Sequence, residues 1–245
     1  MTYAILSDIH ANLEALQQCL ADKSLNDCDK IICLGDIVGY GPFPDECVDL
    51  IRARAVIIIA GNHDRAIIGL ADIESFSTNA RLALAITEAK ISADNRDFLQ
   101  GLELTAIVDD IFFVHAAPLA PHVWSYILST FAAAANFSIL TQQVCFIGHS
   151  HRPIAFCKSC STGKVEQSDS TILSIEQEKK YIINVGSVGQ PRDGDFRAGY
   201  GIYNTISRQY KQIRVEYDYR VTQEAMLKSD LPLQLVQRLS GSKIV

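Results

Sequence analysis

The chain has 245 residues, is 48% hydrophobic and 20% charged, and carries a formal net charge of −6. That size gives one substantial core, and without a Pro/Gly/Ser-rich linker it reads as a single domain, 1–245. The acidic balance argues against binding extended nucleic acid, which needs a basic stripe. No apolar run approaches the ~18 residues of a membrane span, and the N-terminus has no basic n-region or cleavage site, which points to a cytoplasmic protein.

Residues 2–6 are an apolar strand followed by Ser7-Asp8-Ile9-His10 and an amphipathic run over 12–20 with apolar residues at helical spacing. If the segment is extended, Asp8 and His10 point the same way and reach one cation, although Asp8 or Asn12 also suits a helix cap. Strand 30–34 ends in Gly35-Asp36 and a Gly-rich turn, and helix 45–54 returns the chain to the apolar run 56–60, read as a buried strand. That strand ends in Gly61-Asn62-His63-Asp64. Three strand, loop, helix steps argue for parallel pairing with right-handed crossovers, and the C-terminal strand edge is where such sheets bind ligands.

Residues 65–102 read as helical. A hairpin over 106–114, turning at Asp109-Asp110, ends at His115. The aromatic loop 118–126, with His122 and Trp124, reads as surface packing rather than a substrate cover. A short helix over 131–136 precedes strand 144–147, closed by Gly148-His149-Ser150-His151. Strands near 154–157, 171–175 and 180–185, separated by the polar stretch 158–170, suggest antiparallel pairing in a second, mixed sheet. A Gly-rich loop over 184–195, strands near 199–206 and 213–217, and one or two helices within 221–239 complete the chain. The seven cysteines read as free thiols. The spacing Cys157-x-x-Cys160, without a second pair, is weak support for zinc or redox chemistry.

Five of the six histidines, His10, His63, His115, His149 and His151, follow apolar strands, together with Asp8, Asp36 and Asn62. Independent helix caps would not collect histidines in this way. Two carboxylates, an amide oxygen and four imidazoles suit a pair of borderline divalent or trivalent cations, such as manganese, iron, zinc, nickel or cobalt. Two such ions against two carboxylates leave a cationic site that attracts phosphate. A pair ~3.5–4 Å apart lowers the pKa of a bridging water to give a hydroxide for in-line attack.

The ordered blocks Asp8-x-His10, Gly35-Asp36, Gly61-Asn62-His63-Asp64, His115 and Gly148-His149-x-His151 closely resemble those of the calcineurin-like metallophosphoesterase superfamily. Gly186-Ser187-Val188-Gly189-Gln190-Pro191-Arg192-Asp193 extends the resemblance to the small single-domain bacterial and archaeal members. The resemblance implies an α/β fold, a four-layer sandwich of two mixed β-sheets flanked by helices. It also implies that Asp8, His10, Asp36 and His151 hold one metal, that Asp36, Asn62, His115 and His149 hold the other, and that His63 serves the leaving oxygen.

Protein phosphatases of that superfamily carry Asp-Arg-Gly where this chain has Gly39-Tyr40-Gly41. The carboxylate partner of the histidine and a phosphate-binding arginine are thus absent, and Arg65 and Arg192 are the candidates to replace the latter. His115 is followed by Ala116 rather than the frequent Gly. The leading expectation is hydrolysis of a small phosphodiester or phosphomonoester, a nucleotide included. The alternatives are a non-catalytic metal-bound interaction scaffold, a protein phosphatase and, less favoured, a nuclease.

Overall fold

The computed structural model describes residues 1–241, which form two six-stranded sheets. The strands are β1 (Thr2–Leu6), β2 (Lys30–Cys33), β3 (Ile57–Ile58), β4 (Thr105–Val108), β5 (Ile111–Val114) and β6 (Val144–Ile147). They continue with β7 (Ile154–Ser159), β8 (Val165–Ser168), β9 (Ile172–Ser174), β10 (Lys179–Asn184), β11 (Ala198–Asn204) and β12 (Gln209–Val215). One sheet runs β3-β2-β1-β11-β12-β9 and the other β4-β5-β6-β10-β7-β8. In the first, β1, β2 and β3 are parallel and β11, β12 and β9 add antiparallel. In the second, β5, β6 and β10 are parallel between antiparallel neighbours.

The alternation of side chains along a strand produces the layers. Tyr3 and Ile5 of β1, Ile32 of β2 and Phe146 of β6 face the gap between the sheets, joined by Phe113, Tyr203 and Tyr210. Ala4, Leu6, Ile31 and Cys33 face the other way, onto helices Leu13–Ala21 and Pro44–Arg54. Cys145 and Ile147 pack outward on helix Thr130–Phe137. Both sheets are therefore mixed and covered by helices, the four-layer sandwich expected. Two helices, Tyr219–Lys228 and Leu233–Arg238, pack against Tyr40, Ala80 and Ala83. Among the described residues no helix is long and apolar enough to cross a membrane.

Four expectations change, the first being that the strand near 171–175, expected in the second sheet, pairs instead with β12 at the edge of the first. The run 56–60 is not a buried strand: only Ile57 and Ile58 pair, at the sheet edge, and Val56 is 61% exposed. An edge strand needs only one paired side, and beyond it Ile59 makes an isolated bridge to Glu103. The polar stretch 158–170 contains β8, whose Val165-Glu166-Gln167-Ser168 pairs with β7 although two of its four residues are exposed. A polar outer strand gives little hydrophobic pattern to read. The span 65–102 is broken into helices Asn62–Ile67, Thr78–Lys90 and Ala93–Gln100 and a 3₁₀ turn, with Ser77 and Ser92 capping the two longer helices. The hairpin turn at Asp109-Asp110 has φ of 50° and 60°, both left-handed, as the tight twisted turn requires.

Candidate metal centre and cleft

The loops after β1, β2, β3, β5 and β6 converge at one end of the two sheets. Asp8, His10, Asp36, His149 and His151 all have φ between 50° and 65°. The convergence of Asp8 with His10 therefore does not come from an extended segment, as the sequence reading assumed. Left-handed turns aim these side chains, at a cost on the order of 1–3 kcal/mol for each residue. The surrounding backbone holds the turns: Asp8 N donates to Gly35 O (3.0 Å), His10 N to Asp36 O (2.9 Å) and Ala11 N to Ile37 O (2.8 Å). The Gly-rich loop supports the same turn from the other side, since Ser187 Oγ and Gly189 N both donate to Asp8 O (2.7 and 3.0 Å).

Three imidazoles are oriented alike. Nδ1 of His10, His115 and His151 faces the carbonyl oxygens of Val38 (3.1 Å), Leu34 (2.8 Å) and Gln190 (2.6 Å). A proton on each Nδ1 leaves an Nε2 lone pair pointing inward, the arrangement that orients a metal-binding histidine. Nε2 of His10 and His151 then lie 3.1 Å apart. Two lone pairs at that distance repel unless a cation lies between them. Asp8 Oδ1 is 3.3 Å from His151 Nε2, and Asp36 Oδ2 is 3.6 Å from His10 Nε2 and 3.3 Å from His115 Nε2. The ligand atoms form the groups Asp8/His10/His151, His10/Asp36/His63 and Asp36/His115/His149. Asn62 Oδ1 and His115 Nε2 are buried with no hydrogen-bond partner. A buried, unmatched acceptor costs ~1–3 kcal/mol. Hard and borderline donors converging with open lone pairs fit a metal ion.

Burial pushes Asp8 up to about 7 against the pull of His115. Burial disfavours charge on His115 too, but the carboxylates of Asp36 and then Asp8 prevail and raise it to about 9. Asp36 is held well below the usual carboxylate range, its burial outweighed by His115 and His63. His10 and His151 are pushed down by burial, which keeps them neutral and ligand-competent. In the metal-free protein the two carboxylates thus favour a second proton on His115, one that a bound cation would displace to free the Nε2 lone pair.

Asp64, to which the sequence reading gave no task, is fully buried and accepts four backbone N–H bonds. The donors are Asp36 (2.7 Å), Ile37 (2.9 Å), Val38 (3.2 Å) and Gly61 (2.9 Å). It ties the Asp36 loop to the Asn62 loop. Asp64→Asn would turn an NH₂ group against some of these donors, and we expect a loss of about 2–4 kcal/mol in unfolding free energy. Denaturant titration of the metal-free protein measures this, and a loss below about 0.5 kcal/mol, the range of ordinary surface substitutions, would deny Asp64 that role.

The position of Gly39 explains why no carboxylate accompanies His63. Gly39 has φ +84°, and a Cβ there would collide with His63 Nδ1. That nitrogen is buried with no hydrogen-bond partner. Aromatic contacts hold the ring instead, with centroids of Tyr40 at 4.5 Å, His10 at 4.8 Å and Phe76 at 5.0 Å. Its backbone N donates to Asp36 Oδ1 (2.8 Å). Burial lowers His63 to about 4, against the pull of Asp36.

Above these groups lies a cleft of about 450 Å³, within the range of small-molecule sites. Asp36, Asn62, His63, His149 and His151 form its floor, and Tyr40, Phe76, Trp124, Tyr126, Arg192 and Arg238 are among its walls. Arg192 is present as the sequence suggested, its guanidinium 5.6 Å above the Tyr40 ring. Arg65 is not: its Nη2 donates to Leu102 O (2.7 Å), and it does not line the cleft. It follows the Asn62–Asp64 turn on the helix and its side chain swings to the adjoining loop. The aromatic loop also departs from the surface-packing reading, because Tyr126 stacks on His149 (4.2 Å, 18°) and Trp124 meets His115 edge-on (6.0 Å). Tyr40 and Gln190 lie within blocks quoted from the sequence but were given no role there, and Arg238 carried no sequence signal for this site. Cys157 and Cys160 are free thiols outside all three ligand groups.

An uncharacterized protein of Methanocaldococcus jannaschii is 37% identical over 243 residues, covering 96% of each chain. A metallophosphoesterase structure from Sphaerobacter thermophilus is 39% identical, covers 99% of both chains and superposes with a TM-score of 0.85. A hypothetical protein from Pyrococcus horikoshii, 20% identical over 97% of both chains, shares the fold with a TM-score of 0.79. The sequence pattern of the "Calcineurin-like phosphoesterase superfamily domain" matches residues 1–207, a span that includes every strand-end histidine and carboxylate described above, so the chain belongs to the calcineurin-like phosphoesterase superfamily.

Proposed function

We propose that the protein is a metal-dependent phosphoesterase acting on a small phosphodiester or phosphomonoester, with manganese, iron, zinc, nickel or cobalt as the candidate ions. The carrying observation is the set of three overlapping ligand groups at the floor of a cleft sized for a small molecule. Asp8, His10, Asp36 and His151 would hold one ion and Asp36, Asn62, His115 and His149 a second, with Asp36 shared because its Oδ2 faces both His10 and His115. When bound, such a pair supplies charge to phosphoryl oxygens and lowers the pKa of water to give a nucleophile near neutral pH.

The chain's own groups do the rest. Arg192 faces the cleft to take a phosphoryl oxygen. His63 lines the cleft and burial favours its uncharged form; in this reading it serves the departing oxygen, and substrate charge nearby would raise its pKa toward general-acid function. Tyr40, in place of the arginine of protein phosphatases, packs on His63 and supports Arg192. This favours small substrates over phosphoproteins.

The test is to strip the protein with a chelator, reconstitute it with each ion, and compare an aryl phosphodiester, nitrophenyl phosphate, cyclic nucleotides, dinucleotides and a phosphoserine peptide. The expected result is a higher kcat/KM for the aryl phosphodiester than for the peptide. A reversal would favour a protein phosphatase. No hydrolysis by fully loaded protein would favour an interaction scaffold.

A further inference from the structure

Two arginines in the cleft share one neutral acceptor. Arg192 Nη2 and Arg238 Nη1 both donate to Gln190 Oε1, at 2.9 and 3.3 Å. Their nitrogens thus lie within about 6 Å of each other, a distance at which two positive charges repel appreciably outside bulk water. Among the described residues neither makes an ion pair, whereas Arg52, Arg81, Arg96, Arg197, Arg214 and Arg220 each meet a carboxylate. Arg192 Nε is buried without any partner. Among the described residues the sole acid lining the cleft is Asp36, which belongs to the ligand groups. Burial and the neighbouring Arg192 both push the Arg238 guanidinium below its ordinary range.

We propose that Arg192 and Arg238 form a subsite for a second phosphoryl group, so that the preferred substrate carries two phosphates, as a phosphoanhydride or bisphosphate does. This rests on the phosphoesterase reading of the cleft. One phosphate lies over the metal-ligand floor and the other bridges the two guanidiniums, taking the place of the missing carboxylate. Arg192 stands between the two positions, since its guanidinium lies over Tyr40 and Tyr40 packs on His63. Arg238 is supplied by helix Leu233–Arg238, beyond residues 1–207 that match the superfamily domain. Leu235, Val236 and Leu239 anchor that helix beside Tyr40 and Ala80. The superfamily domain thus furnishes the reacting centre, and the C-terminal segment adds discrimination among phosphoesters.

Calorimetric titration of the metal-loaded protein with imidodiphosphate and with orthophosphate tests the subsite, with metal content measured afterwards to confirm retention. Wild-type protein should bind imidodiphosphate at least about tenfold more tightly, the worth of one charge-assisted hydrogen bond. Arg238→Gln should remove most of that ratio, and Arg238→Lys should restore part of it, while thermal unfolding checks that each variant is folded. Equal affinities in the wild type, or an undiminished ratio in folded Arg238→Gln, would overturn the subsite. Hydrolysis of both an aryl phosphodiester and nitrophenyl phosphate by the wild-type protein is read separately. Its absence alongside an intact affinity ratio would sink the phosphoesterase reading and leave a diphosphate-binding site.

Discussion

Asp36→Asn should reduce metal content at both proposed positions together. Asp36 Oδ2 lies 3.6 Å from His10 Nε2 and 3.3 Å from His115 Nε2, so one oxygen atom faces both ligand groups. Its other oxygen, Oδ1, accepts from His63 N. An asparagine can keep that second bond, which preserves the turn, but must then present its NH₂ to the imidazole lone pairs. The substitution removes a ligand and a negative charge without removing volume. Changing a group that merely orients a ligand already costs ~10–100-fold in affinity or activity, so loss of the shared ligand should cost at least about 10²-fold in activity. Elemental analysis after reconstitution is the measurement. His149→Ala offers the contrast, since His149 belongs to one ligand group alone and should mainly deplete one position. Retention of both ions in Asp36→Asn would refute its shared role. One tightly held zinc near Cys157 and Cys160, with no metal at the histidine cluster, would sink the whole assignment.

How much of this was legible depends on what each residue responds to. Apolar strands that end in a ligand-type residue are local, and β1, β2, β5 and β6 could be read with their histidines and carboxylates because burial on both faces demands continuous apolar runs. The resemblance supplied how the two groups of ligands divide. The way these side chains converge was not legible. Positive φ at Asp8, His10, Asp36, His149 and His151 is imposed by long-range hydrogen bonds such as His10 N to Asp36 O, which no sequence window contains. Asp64 could be read only as part of a motif block: its bond from Gly61 N is local, but those from residues 36–38 depend on β2 and β3 being neighbours. Arg65 and Arg238 show the same limit in opposite directions. Arg65 was a candidate to replace the missing phosphate-binding arginine, yet its side chain reaches Leu102 O. Arg238 is 175 residues from His63, and tertiary packing of the last helix brings it to the same cleft.

His63→Ala should leave metal content near that of the wild type while sharply reducing hydrolysis of esters with poor leaving groups. His63 Nδ1 is buried and without a partner, and the ring is held by Tyr40, Phe76 and His10 rather than by a carboxylate. Nothing fixes its tautomer by a hydrogen bond at Nδ1, and burial keeps it uncharged near neutral pH, with its pKa lowered to about 4. Such a group helps most when a basic alkoxide leaves, because proton donation or a strong hydrogen bond then relieves the most charge. General-acid assistance is worth ~10²–10⁴-fold in those cases and much less for a leaving group that is already a stable anion. Nitrophenolate is such a leaving group. The expected pattern is therefore a large loss on alkyl phosphoesters and a small one on nitrophenyl phosphoesters, both measured as kcat/KM on protein of verified metal content. His63→Gln, which keeps a hydrogen-bond donor but cannot transfer its proton, separates the two ways of assisting departure. If it recovers much of the alkyl-ester activity, hydrogen bonding by the neutral side chain suffices. If it behaves as His63→Ala does, proton transfer is required, and substrate binding must raise the pKa from its low resting value. Equal losses on alkyl and nitrophenyl esters with metals retained would remove His63 from the leaving oxygen and assign it to electrostatic stabilisation of the phosphoryl group.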